Sequence, residues 1–301
     1  MTGWEYVKAR TASATGAVWR STDGALYKRT GGGELAVEAD FQTAVRDLGY
    51  PVSEIVSRGS DENGYYVIER SLGDVTFHDQ ALADASVDGA VGSGVIAGAA
   101  DISGRLLVAQ AGNPRLVSDW FEKAAFATAV FAENPDLDTP RVREVVARAV
   151  GRLDQLPGCL GHLDYGLPNM LPGGIIDWQH HGPIPLGYDV CPALDIIAFK
   201  GGGKGYAVTA EQRAAYLAAL DAASTAVDGP PLSTWLGEFL LVKCFFFLAL
   251  MRPSGPGRHD KYIKWQYRRA LFTLGLDQYD STGTIDTGNF PALEQFSTGY
   301  R

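Results

Sequence analysis

The stretch of the 301-residue chain that decides the fold runs from Gly161 to Trp178 and reads GHLDYGLPNMLPGGIIDW. Its Pro-Gly-Gly turn at 172–174 reverses the chain. The apolar pairs at 170–171 and 175–176, on either side of the turn, are therefore expected to form a short β-hairpin. The polar residues at the base of this hairpin then carry the chemistry of the chain.

Asn169 and Asp177 stand at the two ends of the hairpin, which brings an amide oxygen beside a carboxylate. This pair suits a hard divalent cation that keeps several waters and binds phosphate oxygens. Asp164, one loop earlier, is left to lie near an acceptor hydroxyl. Phosphoryl transfer needs this division, because phosphate charge must be neutralised while another group orients the nucleophile and accepts its proton. An ordinary hairpin decorated with polar turn residues is the alternative interpretation.

The pattern H-x-D-x-x-x-x-N over residues 162–169, followed by Ile-Asp-Trp at 176–178, resembles the catalytic and metal loops of the aminoglycoside phosphotransferase family. That family is related to the protein kinases and to choline, homoserine and macrolide kinases. The resemblance implies a protein-kinase-like, two-lobed α+β fold. It also implies that Asp164 is the catalytic base and that Asn169 and Asp177 bind Mg²⁺.

The same resemblance gives supporting roles to two further residues. His162 is expected to brace the catalytic loop, and Asp189 is expected to accept backbone hydrogen bonds from it. One departure is that the hairpin between Asp164 and Asp177 is shorter than is usual in these families. The missing residues would come off its tip, which is remote from the metal. If the short hairpin spoiled the metal geometry, the chain would bind a nucleotide without turnover, and this alternative stays open.

Residues 1–75 are predicted to form a small sheet-rich lobe in the order strand, strand, helix, strand, strand. An Asp-Gly turn at 23–24 and a helix-ending glycine at position 49 punctuate it. The predicted strands are 18–20, 25–28, 52–56 and 65–69, and the predicted helix is 34–48.

Residues 76–301 are predicted to form a larger, mostly helical lobe that carries the catalytic loop and the acceptor site. The Ala/Gly-rich stretch at 81–111 is either a low-complexity linker or helical. Further helices are expected at 120–131, 142–156, 209–221, 232–252 and 259–274.

The resemblance also implies a site for ATP or GTP in the amino-terminal lobe. Lys28 is expected to steady the phosphates and to pair with Glu38, with Glu34 one turn earlier as the rival partner. The small residues at 11–18 are expected to cover the phosphates. A nucleobase would bond to main-chain groups of the segment that follows the last strand. The predicted nucleotide-binding residues are Ser13, Thr15, Gly16, Lys28, Glu38, Glu69, Ser71 and Leu72.

Three polar residues, Gln179, His180 and His181, follow the predicted metal ligand. Adjacent histidines on a loop point apart and no third ligand is spaced for zinc, so we interpret them as a substrate rim. Basic residues recur at three- and four-residue spacing over 258–269, which is typical of a solvated helix face or of a surface that meets an anionic or neutral substrate. The glycines at 201–205 are expected to form a loop at the acceptor entrance.

The net charge of −9 argues against a nucleic-acid groove, which needs a basic face. No apolar run is long enough to span a membrane. The three cysteines are widely spaced and suit a reducing compartment, so we expect a cytoplasmic protein. From Gly182 onward acidic and basic residues are balanced, which leaves no surplus of carboxylates to hold a polycation.

The predicted function is therefore Mg²⁺-dependent transfer of the γ-phosphoryl group of a nucleoside triphosphate to a hydroxyl of a small molecule. The family resemblance favours an antibiotic as the acceptor, either an aminoglycoside, a macrolide or a nucleoside antibiotic. The balanced charge of the carboxy-terminal lobe favours the less cationic of these. A metabolic kinase for choline, homoserine or a sugar is the alternative.

Overall fold

The amino-terminal part of the chain is an antiparallel β-sheet packed against one helix. The computed structural model describes residues 3–10, 16–62, 64–117, 119–195, 206, 208–251, 259–291 and 296. The first elements are β1 Trp4–Ala9, β2 Ala17–Ser21, β3 Leu26–Gly31, α1 Gly33–Asp47, β4 Ile55–Asp61 and β5 Gly64–Arg70. The sheet order is β1-β2-β3-β5-β4, and neighbouring strands are antiparallel throughout.

The turn between β2 and β3 shows how local sequence sets this sheet. The carboxylate of Asp23 accepts hydrogen bonds from the hydroxyl of Ser21 and from the N–H of Ala25. Gly24 adopts a φ of 72°, a left-handed conformation that glycine tolerates best. The predicted hairpin is confirmed, and so is the order of the elements that follow it.

Two strands differ from the prediction. The sequence does not predict β1, because five of its six residues are exposed and no buried face marks it. The strand expected at 52–56 lies at 55–61 instead. Val52 is displaced from it because it forms a parallel β-bridge with Ile175, in the second part of the chain.

Helices make up most of the chain after residue 76. They are α2 Phe77–Asp88, α3 Ser93–Gly112, α4 Trp120–Ala125, α5 Ala127–Glu133, α6 Pro140–Leu153, α7 Ala210–Thr225, α8 Leu236–Met251 and α9 His259–Thr282. The strands here are short. β6 Gly158–Gly161 pairs with β9 Gly182–Pro185, and β7 Met170–Leu171 pairs with β8 Gly174–Ile175.

The Ala/Gly-rich stretch at 81–111 is helical and forms most of α2 and α3. Its small residues let helices approach closely, since a Cβ added at Gly104 would already lie 3.5 Å from the Cβ of Ala223. The single helix expected at 120–131 is two helices, because Phe126 adopts a φ of 49° and ends α4.

One large apolar core includes Tyr50 and Val52 of the amino-terminal part together with the helices of the second part. A smaller cluster of Leu35, Ala39 and Val67 fixes α1 on the sheet. The predicted α+β organisation, a small antiparallel-sheet lobe ahead of a larger helical lobe, is confirmed. None of the helices that the structure describes is long and apolar enough to cross a membrane.

Candidate active site

The predicted short hairpin forms, and its tip is docked on the amino-terminal lobe. Met170 of β7 pairs with Ile175 of β8. The N–H of Gly173, at the tip, donates to the carbonyl oxygen of Leu72 at 2.7 Å, and the N–H of Ile175 donates to that of Pro51 at 2.8 Å. A Cβ on Gly173 would lie 2.7 Å from the Leu72 oxygen, so the tip has no room for a side chain. The hairpin therefore ties the two lobes together.

Asn169 and Asp164 are joined directly. The N–H of Ile176 donates to the carbonyl oxygen of Asn169 at 3.0 Å, which keeps the two ends of the hairpin together. Nδ2 of Asn169 donates to the carbonyl oxygen of Asp164 at 2.8 Å and lies 3.5 Å from its Oδ2. Because the amide nitrogen is committed to the catalytic loop, Oδ1 is the side-chain atom of Asn169 that could bind a cation.

Asp177 follows the hairpin in a left-handed backbone conformation with a φ of 65°. Burial raises the pKa of its carboxyl group above the ordinary value, and the nearby charges of Glu38 and Asp164 raise that pKa further. Three carboxylates therefore converge on this point. A cation among them would relieve their repulsion and favour the ionised form of Asp177.

The loop before Asp164 is held by Asp189. The carboxylate oxygens of Asp189 accept the N–H of His162 at 2.6 Å and the N–H of Leu163 at 3.1 Å. Leu163 adopts a φ of 67°, a conformation that leucine seldom takes. Nε2 of His162 lies 2.8 Å from the carbonyl oxygen of Ile176 and links the loop to the hairpin. These contacts are the ones that the supporting roles of His162 and Asp189 require.

A cleft of ≈ 400 Å³ is lined by both lobes. The carboxy-terminal lobe contributes the apolar Leu171 and Ile176 together with the polar Asn169, Asp177 and Gln179. The amino-terminal sheet contributes a further set of apolar and aromatic side chains, Val7, Ala9, Val18 and Tyr27. The cleft therefore combines apolar walls with the predicted metal ligands, although Asp164 itself does not line it.

The basic residue of β3 that meets α1 is Arg29, and the predicted pair between Lys28 and Glu38 is wrong. The guanidinium of Arg29 binds the carboxylates of Glu38 and Glu69, both buried. Lys28 points to the opposite face of the sheet, where Nζ lies 3.3 Å from Oδ2 of Asp61. The reason is that successive side chains of a strand alternate between faces.

Arg10 is a second basic residue that the sequence did not single out. Its guanidinium binds Glu38 at 3.2 Å and lies 4.0 Å from Glu34, the rival that the sequence offered. Arg10 and Arg29 both line the cleft, whereas Lys28 does not. Arginine next to lysine in β3 was a signal for Arg29, but sequence alone did not say which of the two faces the helix.

The other predicted nucleotide-binding residues are placed as follows. Ser13 and Thr15 lie outside the described residues. The carbonyl oxygen of Gly16 accepts the N–H of Arg10 at 2.8 Å. The Glu69 side chain is committed to Arg29, and Ser71 Oγ accepts the N–H of Gly73 at 3.2 Å. Leu72 lines the cleft, with its carbonyl oxygen occupied by the hairpin tip.

The predicted substrate rim is only partly in place. Gln179 lines the cleft and His180 is exposed. The ring of His181 instead stacks on Phe41 of α1, with centroids 3.5 Å apart, so it belongs to a contact between the lobes. Burial lowers the pKa of His181, which keeps it neutral in this contact.

Two expectations for the acceptor side need comment. The glycines at 201–205 and Arg258 lie outside the described residues. A solvated helix face is wrong for Arg268, which is only 4% exposed, because α9 packs against α8 there. Its neighbour Arg269 forms an ion pair with Asp136.

The donor set can be compared with what a metal ion needs. Among the residues that the structure describes, no three His, Cys, Asp or Glu side chains are placed to hold a metal together. An amide oxygen and one carboxylate are the minimum that Mg²⁺ uses, since it usually keeps several waters and takes phosphate oxygens as ligands. The crowding of acidic groups at Asp177 fits such an ion better than it fits a dedicated protein cage for zinc.

The sheet, the docked hairpin and the loop held by Asp189 together define the class of a kinase-like phosphotransferase. Residues 18–231 match the sequence model of the phosphotransferase enzyme family, known as APH. The chain therefore belongs to this family, and it is a small-molecule kinase whose acceptor is a hydroxyl group. No curated protein sequence matches the chain.

Solved structures share this fold at low sequence identity. A candidate aminoglycoside phosphotransferase from Ralstonia eutropha JMP134 is 12% identical, with a TM-score of 0.56 over 92% of each chain. An ethanolamine kinase from Plasmodium vivax is 9% identical, with a TM-score of 0.53 over 90% of this chain and 80% of that one. An aminoglycoside-3'-phosphotransferase of type VIII is 18% identical and covers 79% of this chain and 94% of that one, with a TM-score of 0.46.

Proposed function

We propose that the protein transfers the γ-phosphoryl group of ATP or GTP to a hydroxyl of a small molecule with the help of Mg²⁺. The observation that carries this proposal is the convergence of Asp164, Asn169 and Asp177 where the catalytic loop meets the hairpin. Charge neutralisation and proton acceptance then fall to different side chains, as phosphoryl transfer requires.

The nucleotide would occupy the cleft between the lobes. Leu171 and Ile176 on one side and Val18 on the other offer apolar surface for the faces of a purine base. Arg29 and Arg10 would steady the phosphates, because they are the cations that line the cleft and are held in place by Glu38. This assignment replaces Lys28 in that role.

Asn169 Oδ1 and the carboxylate of Asp177 would hold Mg²⁺. When bound, the ion would neutralise charge on the phosphate oxygens. Asp177 is suited to this position because its carboxylate is buried beside two others and gains most from a cation. The hydrogen bond from Asn169 to the Asp164 carbonyl would keep the metal ligand and the catalytic loop at a fixed separation.

Asp164 would orient the acceptor hydroxyl and accept its proton. In the step, a bond forms between the acceptor oxygen and the γ-phosphorus, and the bond from that phosphorus to the β,γ-bridging oxygen breaks. The nucleoside diphosphate leaves with the electron pair of the broken bond. Asp189 would support the step by holding the backbone of the loop that carries Asp164.

The acceptor class is the finer part of the proposal. An antibiotic hydroxyl is our first candidate, on the resemblance of the 162–178 stretch to the aminoglycoside phosphotransferases. A metabolic kinase for choline, homoserine or a sugar is the second, because the described fold is equally that of an amino-alcohol kinase. The lobes would divide near residue 75, between the end of β5 and the start of α2. The three buried cysteines fit the cytoplasm.

The test is Mg²⁺-dependent release of ADP from ATP, without and with a panel of hydroxyl acceptors. Asp164→Asn is expected to lower the rate by at least about a hundredfold while leaving ATP binding intact. Asp101→Asn, at an exposed position in α3, is the matched control and is expected to change neither. Undiminished ADP release by Asp164→Asn, or release that is independent of Mg²⁺, would contradict the proposal.

A further inference from the structure

A lysine is buried beneath the catalytic loop. Lys243 of α8 is only 2% exposed, and Nζ donates to the carbonyl oxygen of Leu163 at 2.8 Å, next to Asp164 in sequence. Nζ also lies 3.9 Å from Oδ1 of Asp189 and 4.6 Å from the centroid of the Tyr188 ring. A buried ammonium group is costly unless carboxylates compensate it, so this charge is matched to the site.

Arg268 places a second buried cation on the same side. Its guanidinium carbon lies 4.3 Å from the centroid of Phe247, and Nζ of Lys243 lies 5.7 Å from that of Phe246. Lys243 and these two phenylalanines lie three and four residues apart, so they share one face of α8. That face is the one that meets the catalytic loop and α9.

The charge of Asp164 acts on both cations. Burial lowers the pKa of Lys243 and that of Arg268, and the carboxylate of Asp164 opposes the shift in each case. Asp189 also opposes the shift of Lys243. The catalytic side of the acceptor lobe therefore holds two acids and two bases.

The remaining buried carboxylates of this lobe are already neutralised. In the described part of the chain after residue 76, the buried acidic side chains and their cations are Asp189 with Lys243, Asp195 with Arg213, and Glu238 with Arg152. A polycation bound near Asp164 would thus meet two buried positive charges and no surplus buried carboxylate. Like charges brought together at low dielectric repel strongly.

We infer that the acceptor is a neutral or anionic hydroxyl compound and that polycations are excluded, because Lys243 and Arg268 set a positive field beside Asp164. The inference rests on the proposed function, since it places the acceptor at Asp164. It narrows the antibiotic candidates to those without clustered amines, and it gives Arg268 a part in acceptor selection.

The first experiment is calorimetric titration of the wild-type protein with three probes, in Mg²⁺ and a non-hydrolysable ATP analogue. The probes are kanamycin A as a polycation, thymidine as a neutral compound and gluconate as an anion. Kanamycin A is expected to bind more weakly than about 1 mM. Binding of kanamycin A tighter than this, or its phosphorylation, would overturn the inference. This arm gives an answer even if no probe is phosphorylated.

The second experiment changes the proposed selector. Arg268→Gln is expected to shift the ratio of the affinities for kanamycin A and gluconate about tenfold toward the polycation. Arg268→Lys keeps the charge and is expected to keep the wild-type ratio, which also guards against misfolding of the glutamine variant. Arg141→Gln, an exposed arginine of α6, is the control. An unchanged ratio in a folded Arg268→Gln protein would overturn the inference.

The two proposals fail in different measurements. ADP release in the absence of any acceptor, and its dependence on Mg²⁺, test the phosphotransferase function alone. If that activity is missing while kanamycin A still fails to bind, the function is wrong and the charge of the site is as inferred. If the activity is present and kanamycin A binds well, the function stands and the inference falls.

Discussion

The carboxylate of Glu38 in α1 forms its β3 ion pair with Arg29. Arg29 also reaches Glu69 of the neighbouring strand, so one guanidinium bridges the helix and the sheet. Nγ-type fork geometry suits arginine for this bridge, since it offers donors to two carboxylates at once. Lys28, one residue earlier, faces Asp61 and the Tyr66 ring on the other side of the sheet.

Substitution of the two neighbours by the same residue should separate their roles. Arg29→Met is expected to lower the free energy of unfolding by about 3–5 kcal/mol, because it leaves two buried carboxylates without their cation. Lys28→Met is expected to cost about 1 kcal/mol, since its partner Asp61 is partly exposed. Urea denaturation of both variants measures this difference.

The same pair reports on the nucleotide site. In a stable background, Arg29→Met is expected to raise the apparent Kd for ATP at least about tenfold, and Lys28→Met to change it by less than about twofold. Equal effects of the two substitutions on stability and on ATP affinity would show that the side of β3 facing α1 is assigned wrongly.

The catalytic loop and hairpin could be predicted because their residues are close in sequence. A turn at 172–174 can bring positions 169 and 177 together without help from the rest of the fold. The face of β3 could not be predicted in this way. A one-residue change in register exchanges Lys28 and Arg29, and only packing against α1 decides between them.

The burial of Arg268 shows the same limit on the helical side. Its spacing from other basic residues predicts a solvated face, yet contact with Phe247 of α8 buries it. That contact joins two helices, so helical periodicity in α9 does not report it. His181 is a similar case, because its partner Phe41 is far away in the chain.

Lys243 offers a test of how the catalytic loop is positioned. Lys243→Met keeps most of the side-chain volume but removes the hydrogen bond to the carbonyl oxygen of Leu163, whose left-handed conformation then lacks this support. The kcat is expected to fall about ten- to a hundredfold, with the KM for ATP nearly unchanged. Steady-state ADP release measures both values.

Lys123→Met is the matched control for this experiment, because Lys123 is exposed on α4. It is expected to leave kcat and KM at their wild-type values. A Lys243→Met enzyme with a raised KM for ATP and an unchanged kcat would mean that Lys243 supports the nucleotide cleft instead of the catalytic loop.

The three cysteines are expected to be inert in the folded protein. Burial raises the pKa of the Cys159 and Cys191 thiols well above the ordinary value, and that of Cys244 to about 12. Alkylation needs the thiolate, and a raised pKa means that little thiolate forms even as the pH rises through about 9. Iodoacetamide labelling read by mass spectrometry should therefore find none of them modified before unfolding.

In urea the same three thiols should label readily, and faster as the pH rises, because their pKa returns to the ordinary range. Labelling of the native protein that follows pH as steeply as labelling in urea would show that at least one thiol is exposed. Digestion with trypsin then identifies which cysteine carries the label.

The hairpin tip is expected to be intolerant of even one added methyl group. A Cβ at position 173 would lie 2.7 Å from the carbonyl oxygen and 2.9 Å from the Cα of Leu72, both backbone atoms that cannot rotate away. Gly173→Ala should therefore push the hairpin off the segment that joins the lobes. We expect a loss of about 1–3 kcal/mol in the free energy of unfolding and a raised KM for ATP.

Gly151→Ala supplies the opposite control with the same chemical change. Gly151 lies inside α6, and a Cβ there meets no atom within 4 Å. Alanine is the better helix former by up to about 1 kcal/mol, so this variant should be more stable than the wild type and equally active. If Gly173→Ala behaved like Gly151→Ala in both stability and KM, the docking of the hairpin on Leu72 would have no part in holding the cleft.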